Sequence, residues 1–354
     1  MSKLWFRTRT PEGQSQLNEV DFKNFAITEP TVIYLSGFLT TNNQPGFIAG
    51  AIKRLEEMLT HRSKEHARPA KIYSWSHSSL ANLFNMAAYN GLPQSRTSKA
   101  GMIFARNVLL PLVAGNIQDL KGGRISATPF DSETARKNLR NLTMLTYSAG
   151  TVTVQESFNA ARKLMTQIGM QDDVIRDLLG EVVVISTGNV SRATKEKNRF
   201  TTIYLVASND IVVRAKNALW APLRTLASKL LREHPDHLRA EKVSPSSMLV
   251  TARIDNSDWE WRLGPEGKTW KAKINRLLPA WTFINSNHEL PYYITHDEKL
   301  TPFANIALYS LTNAIGRDRK LTVEDLIAPP SGRPDMEAAL YRSKIAAARA
   351  RAPK

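Results

Sequence analysis

One stretch constrains this chain more than any other: Asn141-Leu-Thr-Met-Leu-Thr-Tyr-Ser-Ala-Gly-Thr-Val-Thr-Val-Gln-Glu. Leu142 to Tyr147 reads as an apolar strand, and the residues from Gly150 onward read as a helix. The chain passes from one to the other through a sharp turn at Ser148. That turn is tight and strained, and the helix must pack close behind it. Ala149 and Gly150 are small enough to allow this. A serine at a helix start also has an ordinary structural use, as an N-cap. The local sequence therefore leaves a structural and a chemical reading open.

The chemical reading is specific. Thr146-Tyr-Ser-Ala-Gly matches the nucleophile-elbow pattern G-x-S-x-G, except that Thr146 replaces the first glycine. A β-branched residue fits there if Ser148 alone takes the strained conformation. Two downstream segments supply partners. In Phe200-Thr-Thr-Ile-Tyr-Leu-Val-Ala-Ser-Asn-Asp a β-rich run ends at Val206, and Asp210 sits just past it. Active sites of open α/β sheets gather at such strand ends. In Pro279-Ala-Trp-Thr-Phe-Ile-Asn-Ser-Asn-His the run Trp281 to Ile284 reads as a short strand, with His288 in the loop after it.

Ser148, Asp210 and His288 follow the chain order of the α/β-hydrolase triad. From about Thr31 to Ile315 the chain resembles that superfamily, in its serine esterase, lipase or thioesterase branch. The resemblance implies hydrolysis of an ester or thioester through an acyl-enzyme on Ser148, with no metal or cofactor. It implies that His288 takes the serine proton and returns it to the leaving group. Asp210 would hold the imidazole in the right tautomer and stabilise the imidazolium. The loop after the early strand Thr31–Leu35 would give one oxyanion donor. There Ser36-Gly37-Phe38 matches in position, with Ser36 where the family usually has His. The donors are then the N–H groups of Phe38 and Ala149.

Other residues compete for these roles. His296, in Tyr-Ile-Thr-His-Asp, remains a rival to His288, which is favoured because it directly follows a strand-like run. His61, His66, His234 and His237 lie in charged helical stretches, and His77 precedes the serine. Asp255, Asp258 and Asp297 lack a clear strand before them. Zero cysteines excludes disulfides, thiol catalysis and thiolate metal ligation.

The net charge of +16 needs a reason. Basic residues are dense from Arg192 to Arg276 and again in the tail from Arg342. A solvated positive surface is the plain reading. The sharper ones are an anionic membrane surface, nucleic acid or an acidic protein. Trp220, Trp259, Trp261 and Trp270 lie among the lysines and arginines, a pairing that suits a lipid headgroup layer and equally a buried core. Two rivals to the hydrolase follow. One is a non-catalytic α/β-hydrolase-fold protein that binds a partner through its basic surface. The other is a nucleic-acid-binding protein, although no known nucleic-acid module is visible. No run of about 20 apolar residues indicates a spanning helix. The first residues lack a secretory core, so a cytoplasmic location is expected, with signal-independent export left open.

Strands alternating with helices predict an α/β fold, a mainly parallel central sheet with helices on both faces. Expected elements are a strand pair or irregular lead-in over 1–30, a helix over 47–59, a strand over 71–76, helices over 79–90 and 98–115, and a helix over 132–140 capped by Asp131. Strands follow at 181–186 and 200–206. Residues 214–278 read as an insertion or lid before the histidine loop, helical over 214–240, with a hairpin made of 248–253 and 259–263. One hydrolase-like domain is expected over 1–330, then a basic, partly helical tail over 331–354.

Overall fold

The computed structural model describes residues 2–9, 15–22, 25–35, 45–62, 70–76, 97–148, 150–188, 200–207, 239–252, 293 and 303–328. The strands are β1 (Lys3–Arg9), β2 (Ser15–Val20), β3 (Thr31–Leu35), β4 (Lys71–Ser76), β5 (Ala114–Leu120) and β6 (Arg124–Pro129). They continue as β7 (Leu142–Tyr147), β8 (Val183–Thr187), β9 (Thr201–Ala207), β10 (Arg239–Ser244) and β11 (Ser247–Ala252). The helices are α1 (Pro45–Arg62), α2 (Lys99–Phe104), α3 (Ser132–Arg140), α4 (Gly150–Gln167), α5 (Asp172–Leu179), α6 (Ala304–Ala314) and α7 (Val323–Ile327). A π turn and a 3-10 turn prolong α2 to Leu112.

Among the described residues nine strands form one sheet, in the order β10-β11-β9-β8-β7-β3-β4-β1-β2. From β4 through β3, β7, β8 and β9 to β11 every pairing is parallel. At the margins β1 runs antiparallel to β4, β2 to β1, and β10 to β11. Helices α1, α6 and α7 cover one face through Ile48, Ile52, Leu55, Ile306, Leu311 and Leu326. The other face carries α2, α3, α4 and α5 through Phe104, Leu139, Phe158 and Ile175. A strand covered on both faces gains by being apolar on both. Accordingly every residue of β3 and β8 is buried.

Local sequence explains several boundaries. Ile48, Ile52, Leu55 and Leu59 recur at helical spacing and are the buried stripe of α1. The Asp131 carboxylate accepts from the N–H groups of Glu133 and Thr134, capping α3 as expected. Helix α4 is buried at every residue from Gly150 to Phe158, so it lies between the sheet and α2. The crossing depends on Gly101. A Cβ there would stand 2.8 Å from the Glu156 carbonyl carbon and 3.0 Å from the Ser157 nitrogen.

The sequence reading is corrected at three places. The helix expected over 98–115 ends at Leu112, and Ala114 and Gly115 already belong to β5. The hairpin β5–β6 has no counterpart among the elements expected from sequence. Its strands are polar and mostly exposed, and Gly122 and Gly123, at φ 77° and 72°, make its turn. The later hairpin is made of β10 and β11, and β11 pairs with β9. Residues 239–252 therefore extend the main sheet, and Arg239 and Ala240 are strand where a helix was expected. Strand β10 misleads because it is an edge strand, Arg-Ala-Glu-Lys-Val-Ser, whose Glu241 and Lys242 are exposed, as charges on an edge strand commonly are. The remainder of 214–278, the helix over 79–90 and the tail 331–354 lie outside the described residues.

At the N-terminal ends of β7 and β8 a buried guanidinium joins α3, α6, β7 and the turn that precedes β8. Arg317 donates to the carbonyls of Ala314 (2.6 Å), Leu142 (3.1 Å) and Glu181 (2.5 Å) and to the Thr143 hydroxyl (3.2 Å). A longer contact reaches the Leu139 carbonyl at 3.5 Å. Ala314 and Leu139 close α6 and α3, so one cation meets the negative ends of two helices. Burial pushes this guanidinium down to about 9, against the support of Glu181. It remains charged at neutral pH. The carboxylate of Glu181 is itself held by Arg140, at 3.0 and 3.4 Å.

Candidate functional site

The strand order reverses between β3 and β7. From β3 the chain moves to β4 on one side, and from β7 it moves to β8, β9 and β11 on the other. A crevice opens outside the carboxyl ends of the strands at such a switch point, and open α/β sheets bind ligands there. Leu35, the last residue of β3, is in register with Thr146 of β7. The chain leading to Ser36-Gly37-Phe38 and the turn at Ser148 thus leave the sheet from adjacent strand ends.

Ser148 takes φ 51°, and Asn116 is the only other non-glycine residue with positive φ among the described residues. Thr146 stays within β7, and the Thr187 hydroxyl donates to its carbonyl at 2.8 Å. The threonine at the pattern's glycine position is thereby accommodated, while the strained conformation falls on the serine. The turn is fastened on both sides. The Ser148 N–H donates to the Thr187 carbonyl at 3.1 Å. Its carbonyl accepts from the Thr151 N–H at 3.0 Å and from the Thr151 hydroxyl at 2.6 Å. Ser148 is 7% exposed, and α4 starts two residues later with its positive dipole end at the turn. Sequence reasoning missed Thr151 and Thr187 as the residues that hold this geometry. Thr151, three residues after the serine, is a visible signal; Thr187 is visible only once β7 and β8 are known to pair.

A left-handed φ costs a non-glycine residue about 1–3 kcal/mol. Ser148→Gly is therefore expected to be more stable than Ser148→Ala by about 1 kcal/mol. At an ordinary helix or strand position the order is reversed. Chemical denaturation of the two variants checks this, and an alanine variant more stable than the glycine variant would mean that the turn is not strained.

Strand β9 ends two strands away from β7. Two strand spacings separate them by about 10 Å. The N–H of Ala207, its last residue, donates to the Tyr293 hydroxyl at 3.2 Å. Asp210 follows Ala207 by three residues, and Tyr293 falls between His288 and His296. Asp210, His288, His296, Phe38 and Ala149 lie outside the described residues, as do Trp220, Trp259, Trp261 and Trp270.

Other polar groups near the strand ends are buried. Thr146 and Ser186 are register partners, and neither hydroxyl has a hydrogen-bond partner among the described residues. Burial raises the Tyr34 phenol, which stays protonated. No group of three or more His, Asp or Glu side chains suited to a metal ion occurs among the described residues. No helix among them is long and apolar enough to cross a membrane.

The strand order, the helices on both faces and the turn after β7 give the chain an α/β-hydrolase-like fold. No protein-family model matches the chain, and no curated protein does. One similar solved structure is that of a thermostable esterase, 14% identical, with a TM-score of 0.29. The alignment covers 79% of this chain and 62% of the esterase, so the chain spans less than two thirds of that protein. A likeness this distant carries no weight, and the fold assignment stands on the strand order.

Proposed function

We propose that the protein is a serine hydrolase of carboxylic ester or thioester bonds, acting through an acyl-enzyme on Ser148. One observation carries this reading: Ser148 takes a left-handed φ between a parallel strand and a buried helix, at the switch point of the sheet. Strain of this kind persists only where the surroundings enforce it, and it gathers at functional sites. An N-cap serine has no use for it, since N-caps sit in extended backbone.

In this mechanism the Ser148 hydroxyl attacks the acyl carbon and gives its proton to His288. Asp210 orients the imidazole and stabilises its charged form. The N–H groups of Phe38 and Ala149 receive the developing oxyanion, helped by the N-terminus of α4. Collapse expels the alcohol or thiol, which takes the proton from His288. Water then repeats the sequence on the acyl-enzyme and frees the acid. Asp210 and His288 enter on chain order and on the position of β9. His296 is the alternative base.

A fluorophosphonate tests the reading by phosphonylating an activated serine. Wild-type protein should be labelled once, and Ser148→Ala should not be labelled. A folded wild-type protein that resists the reagent would favour a non-catalytic protein that uses its basic surface for binding.

The positive charge suits a substrate at an anionic lipid interface, where each Lys or Arg near the surface contributes roughly 1 kcal/mol. Co-sedimentation should show binding to vesicles rich in phosphatidylserine, weakening as salt screens the charges. Neutral vesicles should bind poorly. Equal binding to both, or none to either, would assign the charge to nucleic acid, an acidic protein or solubility.

A further inference from the structure

We infer that Tyr293 is a positioning residue, whose hydroxyl fastens the segment between His288 and His296 to the strand end that leads to Asp210. The inference rests on the Ser148 reading above and adds a residue to it.

The geometry begins in the ladder between β8 and β9. The Leu205 carbonyl accepts from the Gly188 N–H at 3.1 Å, so Leu205 directs its backbone groups toward β8. Backbone groups alternate sides along a strand, and Ala207 directs its own toward β8 as well. By then β8 has ended at Thr187, and Gly188, at φ 53°, has left the strand conformation. The Ala207 N–H has therefore run past its ladder partner. The Tyr293 hydroxyl accepts from it in that gap. On the other side of β8, the Thr187 carbonyl accepts from the Ser148 N–H. The tyrosine contact and the serine turn thus flank the same strand end.

The tyrosine is itself fixed. Its ring is fully buried and stacks on Phe303, with centroids 5.4 Å apart and planes 21° apart. Phe303 is the N-cap residue of α6. Packing alone would be served by phenylalanine. The hydroxyl is used because a buried N–H left without an acceptor is costly.

Chain length turns this contact into a restraint on the triad. Asp210 lies three residues from Ala207, within about 11 Å of it, since a residue spans at most about 3.6 Å. His296 is also three residues from Tyr293, and His288 is five, within about 18 Å. Whichever histidine serves, one hydrogen bond joins its segment to the strand of the acid. Loss of that bond should misplace the base relative to the serine, which lowers kcat while substrate binding persists.

The experiment compares Tyr293→Phe with wild type in three readings. These are hydrolysis of p-nitrophenyl butyrate, the rate of fluorophosphonate labelling, and amide exchange of the peptide that contains Ala207. We expect kcat and the labelling rate to fall about 10- to 100-fold. KM should stay within about twofold, and the Ala207 amide should lose protection. A folded Tyr293→Phe variant with unchanged kcat and labelling rate overturns the inference and leaves the Ser148 reading standing. A wild-type protein that neither turns over nor labels overturns both. If Tyr293→Phe does not fold, Tyr293→Met, which also lacks the hydroxyl but fills the core flexibly, takes its place. Its labelling rate should fall likewise, and a folded variant that labels at the wild-type rate would overturn the inference.

Discussion

Replacing Ser148 with alanine should lower ester hydrolysis by at least about 1,000-fold, as loss of a nucleophile does when serine and base act as a unit. Substrate should still bind, because the proposed oxyanion donors are backbone N–H groups, which the substitution leaves in place. The substitution removes one oxygen from a residue that is 7% exposed. It leaves intact the backbone bonds of the turn to Thr187 and Thr151. The fold should therefore persist, with the unfolding midpoint close to wild type. Steady-state rates on short acyl esters and thioesters, measured beside circular dichroism, check both halves. A folded Ser148→Ala protein that keeps more than about a tenth of the wild-type rate would remove Ser148 from the chemistry.

The second large effect concerns stability. Arg317→Met keeps most of the side-chain volume and removes the guanidinium. The carbonyls of Ala314, Leu142 and Glu181 and the Thr143 hydroxyl then lose a charged donor inside the core. Breaking such a buried charged network by removing one member costs about 3–5 kcal/mol. For a domain of this size that is a fall of roughly 10 °C in Tm. The lost contacts join α3 and α6 to the foot of β7 and β8, which is the opposite end of the sheet from Ser148. Hydrolysis below the new Tm should accordingly be near wild type. Thermal and urea denaturation measure the cost, and a methionine variant within about 1 kcal/mol of wild type would mean that water replaces the guanidinium at little expense.

The parts of the fold that were legible in sequence are those where local chemistry and tertiary burial agree. Leu142 to Tyr147 is apolar because β7 is covered on both faces, and Ala149-Gly150 is small because the helix starts at once. Asp131 announced α3 because an N-cap side chain satisfies nearby backbone N–H groups. Ile48, Ile52, Leu55 and Leu59 announced α1 because one face of a surface helix is buried. Legibility failed where a segment is half solvated. Strand β10 carries charges at the sheet edge, and β5 and β6 are mostly exposed, so neither has the apolar signal of an inner strand. The only marks of the β5–β6 hairpin were its paired glycines.

Of the proposed site, only the turn at Ser148 falls within the described residues. The serine turn could be read because its geometry demands particular residues at consecutive positions. Thr187 and Tyr293 could not, because each acts through a contact between segments distant in sequence: Thr187 with the Ser148 turn, and Tyr293 with Ala207. Arg317 lies in Gly316-Arg-Asp-Arg-Lys, a run that reads as a solvated surface. Its neighbour Arg319 does face solvent and pairs with Asp325, whereas Arg317 turns inward. Nothing in the run itself separates the two.

Acid-quenched mass spectrometry of the protein during turnover of a slow p-nitrophenyl ester tests the central claim most directly. An acyl-enzyme on Ser148 predicts a mass increase of one acyl group, mapped to the peptide that contains Ser148 and absent from Ser148→Ala. Turnover with no trapped acyl group, or with the acyl group on another residue, would contradict it.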